Sequence, residues 1–269
     1  IMFSVEGKVV VITGGTGVLG SAMAKGVAAK GAKVVVIGRT EAKGKGVVTE
    51  IEAAKGQAIF VKADVVQEDQ LEAAKKAILA KWKTIDVLVN CAGGNQAGAT
   101  ITPDKTFFDL EIPAFNSVVN LNLLGTVLPT KVFGKQMAEQ KTGCIINISS
   151  MASQQAITRV VGYSAAKAAV DNFTRWMATE MALKYGEGIR VNAIAPGFFI
   201  AEQNRSLLTN TDGSLTDRGN TIVTNTPMKR FGKAEELVGT LIYLSSNAAS
   251  FVTGIVIPVD GGFSAFSGV

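Results

Sequence analysis

The feature that most constrains the fold is a short apolar strand that runs directly into a glycine-rich turn and a helix. Val9 to Thr13 form a β-branched run typical of a strand buried on both faces. Residues 14–20 form the turn, and residues 21–30 have the composition of a helix. Glycine lets the main chain approach a pyrophosphate closely, and a helix N-terminus offers it unpaired N–H groups. This order of elements predicts a dinucleotide site at Gly14, Thr16, Gly17, Val18, Leu19 and Gly20.

Six further apolar runs follow along the chain, mostly with helical segments between them. They lie at residues 33–37, 58–61, 85–89, 144–148, 189–195 and 254–259. Alternation of buried strands with helices predicts an α/β protein: a single-domain, Rossmann-like doubly wound sheet of about seven parallel strands with helices on both faces. The domain would span residues 2–269, with its ligands at the carboxyl ends of the strands. The pattern also predicts a helix from about Phe115 to Gln140 and a polar substrate lid at about 202–226.

Residues at the ends of the second, third and fourth strands indicate which dinucleotide is bound. An NAD enzyme places an acidic residue about twenty positions after the glycine turn, where it binds the ribose hydroxyls. Here the strand tip carries Arg39 and no acid, and a guanidinium suits a 2′-phosphate, so NADP(H) is favoured over NAD(H). Asp64 either accepts a hydrogen bond from adenine or caps the helix that begins near Gln67. After the fourth strand, small residues would let a flat cofactor pack against the main chain at Asn90, Ala92 and Gly93.

Tyr163 and Lys167 stand four residues apart among good helix formers, so their side chains share one helix face. A tyrosine has an ordinary pKa of about 10, and a neighbouring ammonium favours the phenolate and lowers that pKa. Ser150 ends the strand at 144–148, which puts its hydroxyl at the carboxyl edge of the sheet. There it could polarise a carbonyl. A lone Tyr/Lys pair is otherwise typical of a solvated helix face, and its place beside a cofactor cradle favours catalysis.

The composition excludes several other kinds of site. The chain has no histidine, which excludes Ser-His-Asp catalysis and His-ligated metal centres, and no metal is expected. Its net charge is +5, but the basic residues are scattered among acids, so an anionic small molecule is expected as partner rather than nucleic acid. No apolar run reaches the ~18 residues of a membrane span. Two cysteines in apolar runs indicate free thiols in a reducing cytoplasm.

Together these motifs resemble the short-chain dehydrogenase/reductase family over essentially the whole chain. The matching pieces are Thr13 to Gly20, Asp64-Val65, Asn90 to Gly93, Asn122, Ser150, Tyr163, Lys167, Pro196-Gly197 and Asp260 to Gly262. The resemblance implies that Tyr163 is the general acid/base and that Ser150 positions the substrate carbonyl. Lys167 would lower the tyrosine pKa and hold the nicotinamide ribose, and Asn122 would anchor a water of the proton relay. It also implies a homo-oligomer, as relatives are often tetramers.

The family pattern further selects one serine and marks two departures. Its spacing of thirteen residues before the tyrosine selects Ser150 over Ser149. Val18 stands where the family has the second glycine of its turn, and Gly17 compensates. Ala201 replaces the usual threonine after Pro196-Gly197, so one hydroxyl contact to the cofactor is lost. The residues then expected to orient the cofactor at this end are Pro196, Gly197 and Phe199.

Within the family, the chain is similar to the mannonate oxidoreductase (fructuronate reductase) branch. The similarity rests on residues 13–20, 92–95, 133–135, 195–199, 203–205 and 258–269. It implies a keto sugar acid as substrate, whose carboxylate suits a guanidinium. The residues expected near this substrate are Asn95, Arg159, Gln203, Asn204 and Arg205. Two alternatives stay open: reduction of another ketone or a 3-oxoacyl thioester, and a dinucleotide-binding regulator without catalysis.

Overall fold

Seven parallel strands form one sheet at the centre of the protein. The computed structural model describes residues 2–202 and 204–268. The strands are β1 (Val9–Thr13), β2 (Lys33–Gly38), β3 (Gln57–Lys62), β4 (Val87–Asn90), β5 (Gly143–Ile148), β6 (Ile189–Pro196) and β7 (Val256–Val259). Their order across the sheet is β3-β2-β1-β4-β5-β6-β7. The chain therefore crosses over between β3 and β4, and the predicted Rossmann-like sheet of seven parallel strands is confirmed.

Helices cover both faces of this sheet. They are α1 (Val18–Ala28), α2 (Glu41–Ala53), α3 (Glu68–Trp82), α4 (Ile112–Val119), α5 (Gly125–Gln140), α6 (Val161–Tyr185), α7 (Arg205–Leu208), α8 (Asp217–Asn225) and α9 (Leu237–Ser245). Two apolar cores result, one beneath α1 and α9 and one beneath α3, α5 and α6. In β1, Val10 and Ile12 belong to the first core, whereas Val9 and Val11 belong to the second. The β-branched run is thus buried on both faces, as its composition predicts.

The prediction of one continuous helix from about Phe115 to Gln140 is wrong, because the helix is interrupted. A π-helical turn at Asn120–Leu124 separates α4 from α5. The Asn122 side chain donates through Nδ2 to the Val118 carbonyl at 2.8 Å, and a regular α-helix would give that carbonyl to the Asn122 main-chain N–H. The side chain therefore competes with the helical ladder and widens the turn. Such turns are frequent at functional sites.

The polar segment predicted as a lid has regular structure in its described part. It contains the short helix α7 and the helix α8, joined through a bridge between Thr209 and Leu215. Thr216 caps α8 by accepting a hydrogen bond from the Gly219 N–H at 3.1 Å. Throughout the described ranges, no helix is long and apolar enough to cross a membrane.

Candidate active site

A cleft of about 700 Å³ opens at the carboxyl edge of the sheet. Segments that follow different strands line it, as expected for ligand sites in open parallel sheets. Predicted residues that line the cleft are Gly14, Thr16, Gly17, Val18, Leu19, Gly20, Arg39, Asp64, Val65, Ala92, Gly93, Asn95, Ser150, Tyr163, Lys167, Pro196, Gly197, Phe199 and Asn204. The structure therefore brings together positions that are far apart in the sequence.

The glycine turn after β1 has the geometry of a phosphate cradle. Gly14 adopts a φ of +63°, and a Cβ built there would lie 2.7 Å from the main chain of Ala92. A Cβ at Gly20 would overlap the carbonyl of Gly14, so this glycine lets α1 pack closely. No side chain caps α1, whose N-cap is Gly17, so its first N–H groups are left for a ligand. These residues fit the pyrophosphate of a dinucleotide.

The adenosine side of the cleft carries Arg39 and Asp64. Arg39 is exposed at the end of β2, and Asp64 follows β3. Asp64 accepts from the Val66 N–H at 3.2 Å, and α3 begins after Gln67 without a side-chain cap. Of the two readings of Asp64, capping of α3 is therefore wrong, because the carboxylate closes its own turn instead. Its contact with adenine stays a prediction.

Two predicted site residues, Asn90 and Asn122, are buried beneath the cleft. Asn90 does not line it, because its Nδ2 donates into the protein, to Thr130 Oγ1 at 3.0 Å and Asn147 Oδ1 at 2.9 Å. The Asn90 side chain is thus used inside the protein, and packing of the cofactor against the main chain at Asn90 stays a prediction. Asn122 donates to the Gly94 carbonyl at 2.7 Å and accepts from the Gly94 N–H at 3.1 Å. It clamps the segment after β4 to the π-helical turn, while its role as a water anchor stays a prediction.

Ser150, Tyr163 and Lys167 share one wall of the cleft. Lys167 is only 3% exposed, and its Nζ donates to the Ile148 carbonyl at 2.7 Å. The same Nζ lies 5.5 Å from the centroid of the Tyr163 ring. Ser150 Oγ accepts from the Ala152 N–H at 3.1 Å, which leaves the hydroxyl proton for another acceptor. The strand end and the first turns of α6 thus place two hydroxyls and an ammonium together.

The pKa of Tyr163 is raised, so the expectation that Lys167 brings it down is wrong. Burial is the largest cause and raises the pKa of Tyr163, and the Ser150 hydroxyl opposes this shift. Tyr163 is partly exposed to the cleft, but burial among protein atoms still has the largest effect on its pKa. Burial also lowers the pKa of Lys167 to about 8, although the charges of Cys91 and Asp171 act to raise it. The phenol is therefore held protonated, the form that can donate a proton.

The lowered pKa of Lys167 predicts a pH dependence of stability. Between pH 8 and 10.5, the unfolded chain binds more protons at this group than the folded chain, so the unfolding free energy rises with pH. The stabilisation gained is at most about 3 kcal/mol. Chemical unfolding of the cofactor-free protein should show it as a difference from Lys167→Met, which keeps the other titrating groups. A difference that stays flat or falls over this range would contradict the assignment.

The structure separates Ser150 from its neighbour Ser149. Ser149 is 2% exposed, and its hydroxyl donates to the Asp171 carboxylate in α6. Ser153 donates to the other Asp171 oxygen at 2.6 Å. Through these two hydrogen bonds, Asp171 fixes the turn that follows β5 to α6. Ser150 is the one of the two whose hydroxyl can serve the cleft, in agreement with its spacing from Tyr163.

The predicted substrate residues are divided by the structure. Asn95 and Asn204 line the cleft, whereas Arg159 and Arg205 do not, and Gln203 lies outside the described residues. Asn204 accepts from the Ala201 N–H at 2.7 Å and donates to the Phe199 carbonyl at 2.9 Å, so it closes its own turn. Placing Arg205 at the substrate is wrong, because α7 points it outward to solvent.

One arginine that lines the cleft, Arg218, was not predicted from the sequence. It follows the helix-capping Thr216 by two residues, and this local pattern predicts a helix start but not the direction of the side chain. Asn95 also has a notable feature. Its Oδ1 is buried without a hydrogen-bond partner among the described residues, while its Nδ2 donates to Thr100 at 2.8 Å.

Known proteins resemble the chain over nearly its whole length. A family model described as short chain dehydrogenase matches residues 8–212. UxuB, an uncharacterised oxidoreductase from Bacillus subtilis, is 48% identical over 275 residues, which cover 99% of this chain and 98% of UxuB. A crystal structure of a candidate D-mannonate oxidoreductase from Haemophilus influenzae with bound NAD is 44% identical, covers 99% and 98% of the two chains, and has a TM-score of 0.91. A gluconate 5-dehydrogenase from Burkholderia cenocepacia, in complex with NADP and tartrate, is 31% identical with a TM-score of 0.87 and covers 98% of each chain.

Proposed function

Because the chain belongs to the short-chain dehydrogenase/reductase family and is an NAD(P)-dependent oxidoreductase, we propose that it reduces the ketone of a sugar acid, with fructuronate to mannonate as the first candidate reaction. The observation that carries this proposal is the polar substrate end of the cleft. Asn95 lines the cleft and has a buried oxygen without a partner among the described residues, and Thr100, Thr102 and Ser206 line the same cleft. A hydroxylated substrate satisfies such groups, whereas an acyl chain would leave them unpaired. Relatives named for mannonate and gluconate support the same substrate class.

The proposed chemistry divides between the three groups on the wall of the cleft. The nicotinamide cofactor, when bound, supplies the hydride. Ser150 donates a hydrogen bond to the ketone oxygen and stabilises the negative charge that develops there. Tyr163, held protonated, then gives its proton to the alkoxide oxygen as general acid.

Two further residues are proposed to support this proton transfer. The Lys167 ammonium holds the nicotinamide ribose and, from 5.5 Å above the Tyr163 ring, favours the phenolate that remains after proton transfer. Asn122 fixes Gly94 and so the segment beside Gly93, against which the cofactor packs. The water that Asn122 is expected to anchor would return a proton to Tyr163.

We also propose that NADP(H) is preferred, with Arg39 at the 2′-phosphate. Hydrogen bonds to a charged group contribute enough that Arg39→Asp should raise the KM for NADPH by roughly 10- to 100-fold and lower that for NADH. Arg205→Asp is the matched control, because this arginine is exposed and does not line the cleft. Steady-state kinetics with NADPH and with NADH give the two KM values for each variant. An unchanged NADPH/NADH ratio in Arg39→Asp would remove the cofactor preference from the account.

A substrate panel tests the proposed function. The wild-type protein is assayed for oxidation of NADPH and NADH with fructuronate, other keto sugar acids, neutral ketones and an acetoacetyl thioester. The proposal expects the highest kcat/KM with a keto sugar acid. A preference for the thioester would favour the acyl-reductase alternative, and cofactor binding without turnover of any carbonyl would favour the non-catalytic one.

We propose, finally, that the protein is a homo-oligomer. The edge strand β7 is only partly covered, and Phe251 and Ile255 beside it are exposed apolar side chains. A second copy of the chain would cover them. A mass measured in solution by light scattering equal to the 28.1 kDa of one chain would contradict this.

A further inference from the structure

Arg218 connects the lid to the catalytic wall. It lies in the first turn of α8, and its guanidinium crosses to Thr158, donating through Nη1 to Oγ1 at 3.0 Å and through Nη2 to the carbonyl at 3.3 Å. Thr158 lies between Ser150 and Tyr163 in the chain. The arginine lines the same cleft as Ser150 and Tyr163, the groups that are proposed to act on the ketone.

No acidic side chain balances this arginine. Among the ion pairs of the described residues, none includes Arg218 or Arg159. Burial and, second, the like charge of Arg159 lower the pKa of Arg218. Arg159 itself adopts a φ of +78°, which is uncommon for a non-glycine residue, and its carbonyl accepts from the Ile101 N–H. Two neighbouring guanidinium groups without a carboxylate partner are most stable when an anion lies between or beside them.

The hydrogen-bonding capacity of Arg218 also exceeds what Thr158 uses. A guanidinium has five N–H donors in a rigid fork, and two of them are engaged here. The remaining donors suit a carboxylate, which accepts two parallel hydrogen bonds from such a fork. A keto sugar acid whose ketone lies at Ser150 and Tyr163 carries its carboxylate a few bonds away, and Arg218 lines the same cleft.

We propose that Arg218 is the specificity-determining residue that binds the carboxylate of the substrate, with Arg159 adding positive charge behind it. The inference rests on the proposed function, since it assumes that the substrate is a keto acid. It assigns recognition of the carboxylate to Arg218 in α8 rather than to Arg205 in α7. Arg218 is 60 residues from Thr158, its hydrogen-bond partner.

The test compares two substrates that differ only in the carboxylate. Arg218→Gln and wild type are assayed with fructuronate and with fructose, the ketose that has a hydroxymethyl group in place of the carboxylate. We expect Arg218→Gln to raise the KM for the acid by roughly 10- to 100-fold and to change that for the ketose less than about threefold. Arg205→Gln is the matched control and should change neither. Arg218→Lys keeps a cation without the fork and should lose about tenfold with the acid, so it replaces Arg218→Gln if that variant does not fold.

The outcomes separate this inference from the proposed function. Equal effects of Arg218→Gln on acid and ketose, or the same acid-specific loss in Arg205→Gln, would overturn the role of Arg218 while the wild-type activity on the acid still stands. A wild-type protein that reduces neutral ketones but no sugar acid would overturn both. The dissociation constant of NADPH, measured by fluorescence, should be unchanged in Arg218→Gln, because the guanidinium is expected to contact substrate and not cofactor.

Discussion

Tyr163→Phe is expected to lower kcat for reduction of the keto sugar acid by about 10³-fold. The substitution removes one oxygen, the proposed proton donor to the alkoxide, and leaves the ring in place beneath Lys167. The apolar packing of the ring is retained, so the dissociation constant of NADPH should change by less than about threefold.

The same helix provides the control for this experiment. Tyr185 is the last residue of α6 and is 44% exposed, so Tyr185→Phe should leave both constants unchanged. Steady-state assays give kcat, and fluorescence titration gives the cofactor affinity. If Tyr163→Phe retained more than about a tenth of the wild-type kcat, Tyr163 would not be the general acid.

Ser150→Ala is expected to lower kcat by about 10²- to 10³-fold, the usual cost of removing one hydrogen-bond donor from a developing oxyanion. Ser150 lines the cleft at the end of β5, and its hydroxyl accepts from the Ala152 N–H at 3.1 Å. The loss should appear mainly in kcat, because this hydrogen bond strengthens as charge develops on the ketone oxygen. Single-turnover measurements with saturating NADPH isolate this step.

Ser149→Ala is the matched control and should lower the stability of the protein rather than its kcat. Loss of the Ser149 hydroxyl leaves a buried Asp171 oxygen without this donor, which should cost about 1–3 kcal/mol of unfolding free energy. The kcat of the folded fraction should remain close to wild type. Equal losses of kcat in both variants would indicate that the hydrogen bonds around Asp171, rather than the Ser150 hydroxyl, control the reaction.

The sequence is sufficient to predict the sheet and the cofactor cradle because both depend on local patterns. Buried parallel strands require continuous β-branched runs, and the turn after β1 requires glycine at Gly14, where φ is positive, and at Gly20, where α1 packs on the turn. Ser150 is also predictable, since a strand end and a fixed distance to Tyr163 determine it. These features need no knowledge of contacts between distant segments.

The remaining site features depend on contacts that the sequence does not reveal. Asn90 turns inward because Asn147 and Thr130 accept its amide, and the π-helical turn exists because Asn122 competes for a carbonyl. Arg218 reaches the cleft through a contact with Thr158, 60 residues away, whereas the more obvious Arg205 points outward. The pKa of Tyr163 could not be predicted from Lys167 alone, because burial contributes more than the neighbouring charge.

The most direct test of the central claim follows the hydride from cofactor to product. The wild-type protein is incubated with fructuronate and NADPH that carries deuterium at the transferable C4 position of the nicotinamide, and the product is examined by NMR. The account predicts mannonate with one deuterium on the carbinol carbon that was the ketone. Oxidation of NADPH without deuterium at that carbon, or no mannonate while an acetoacetyl thioester is reduced under the same conditions, would contradict it.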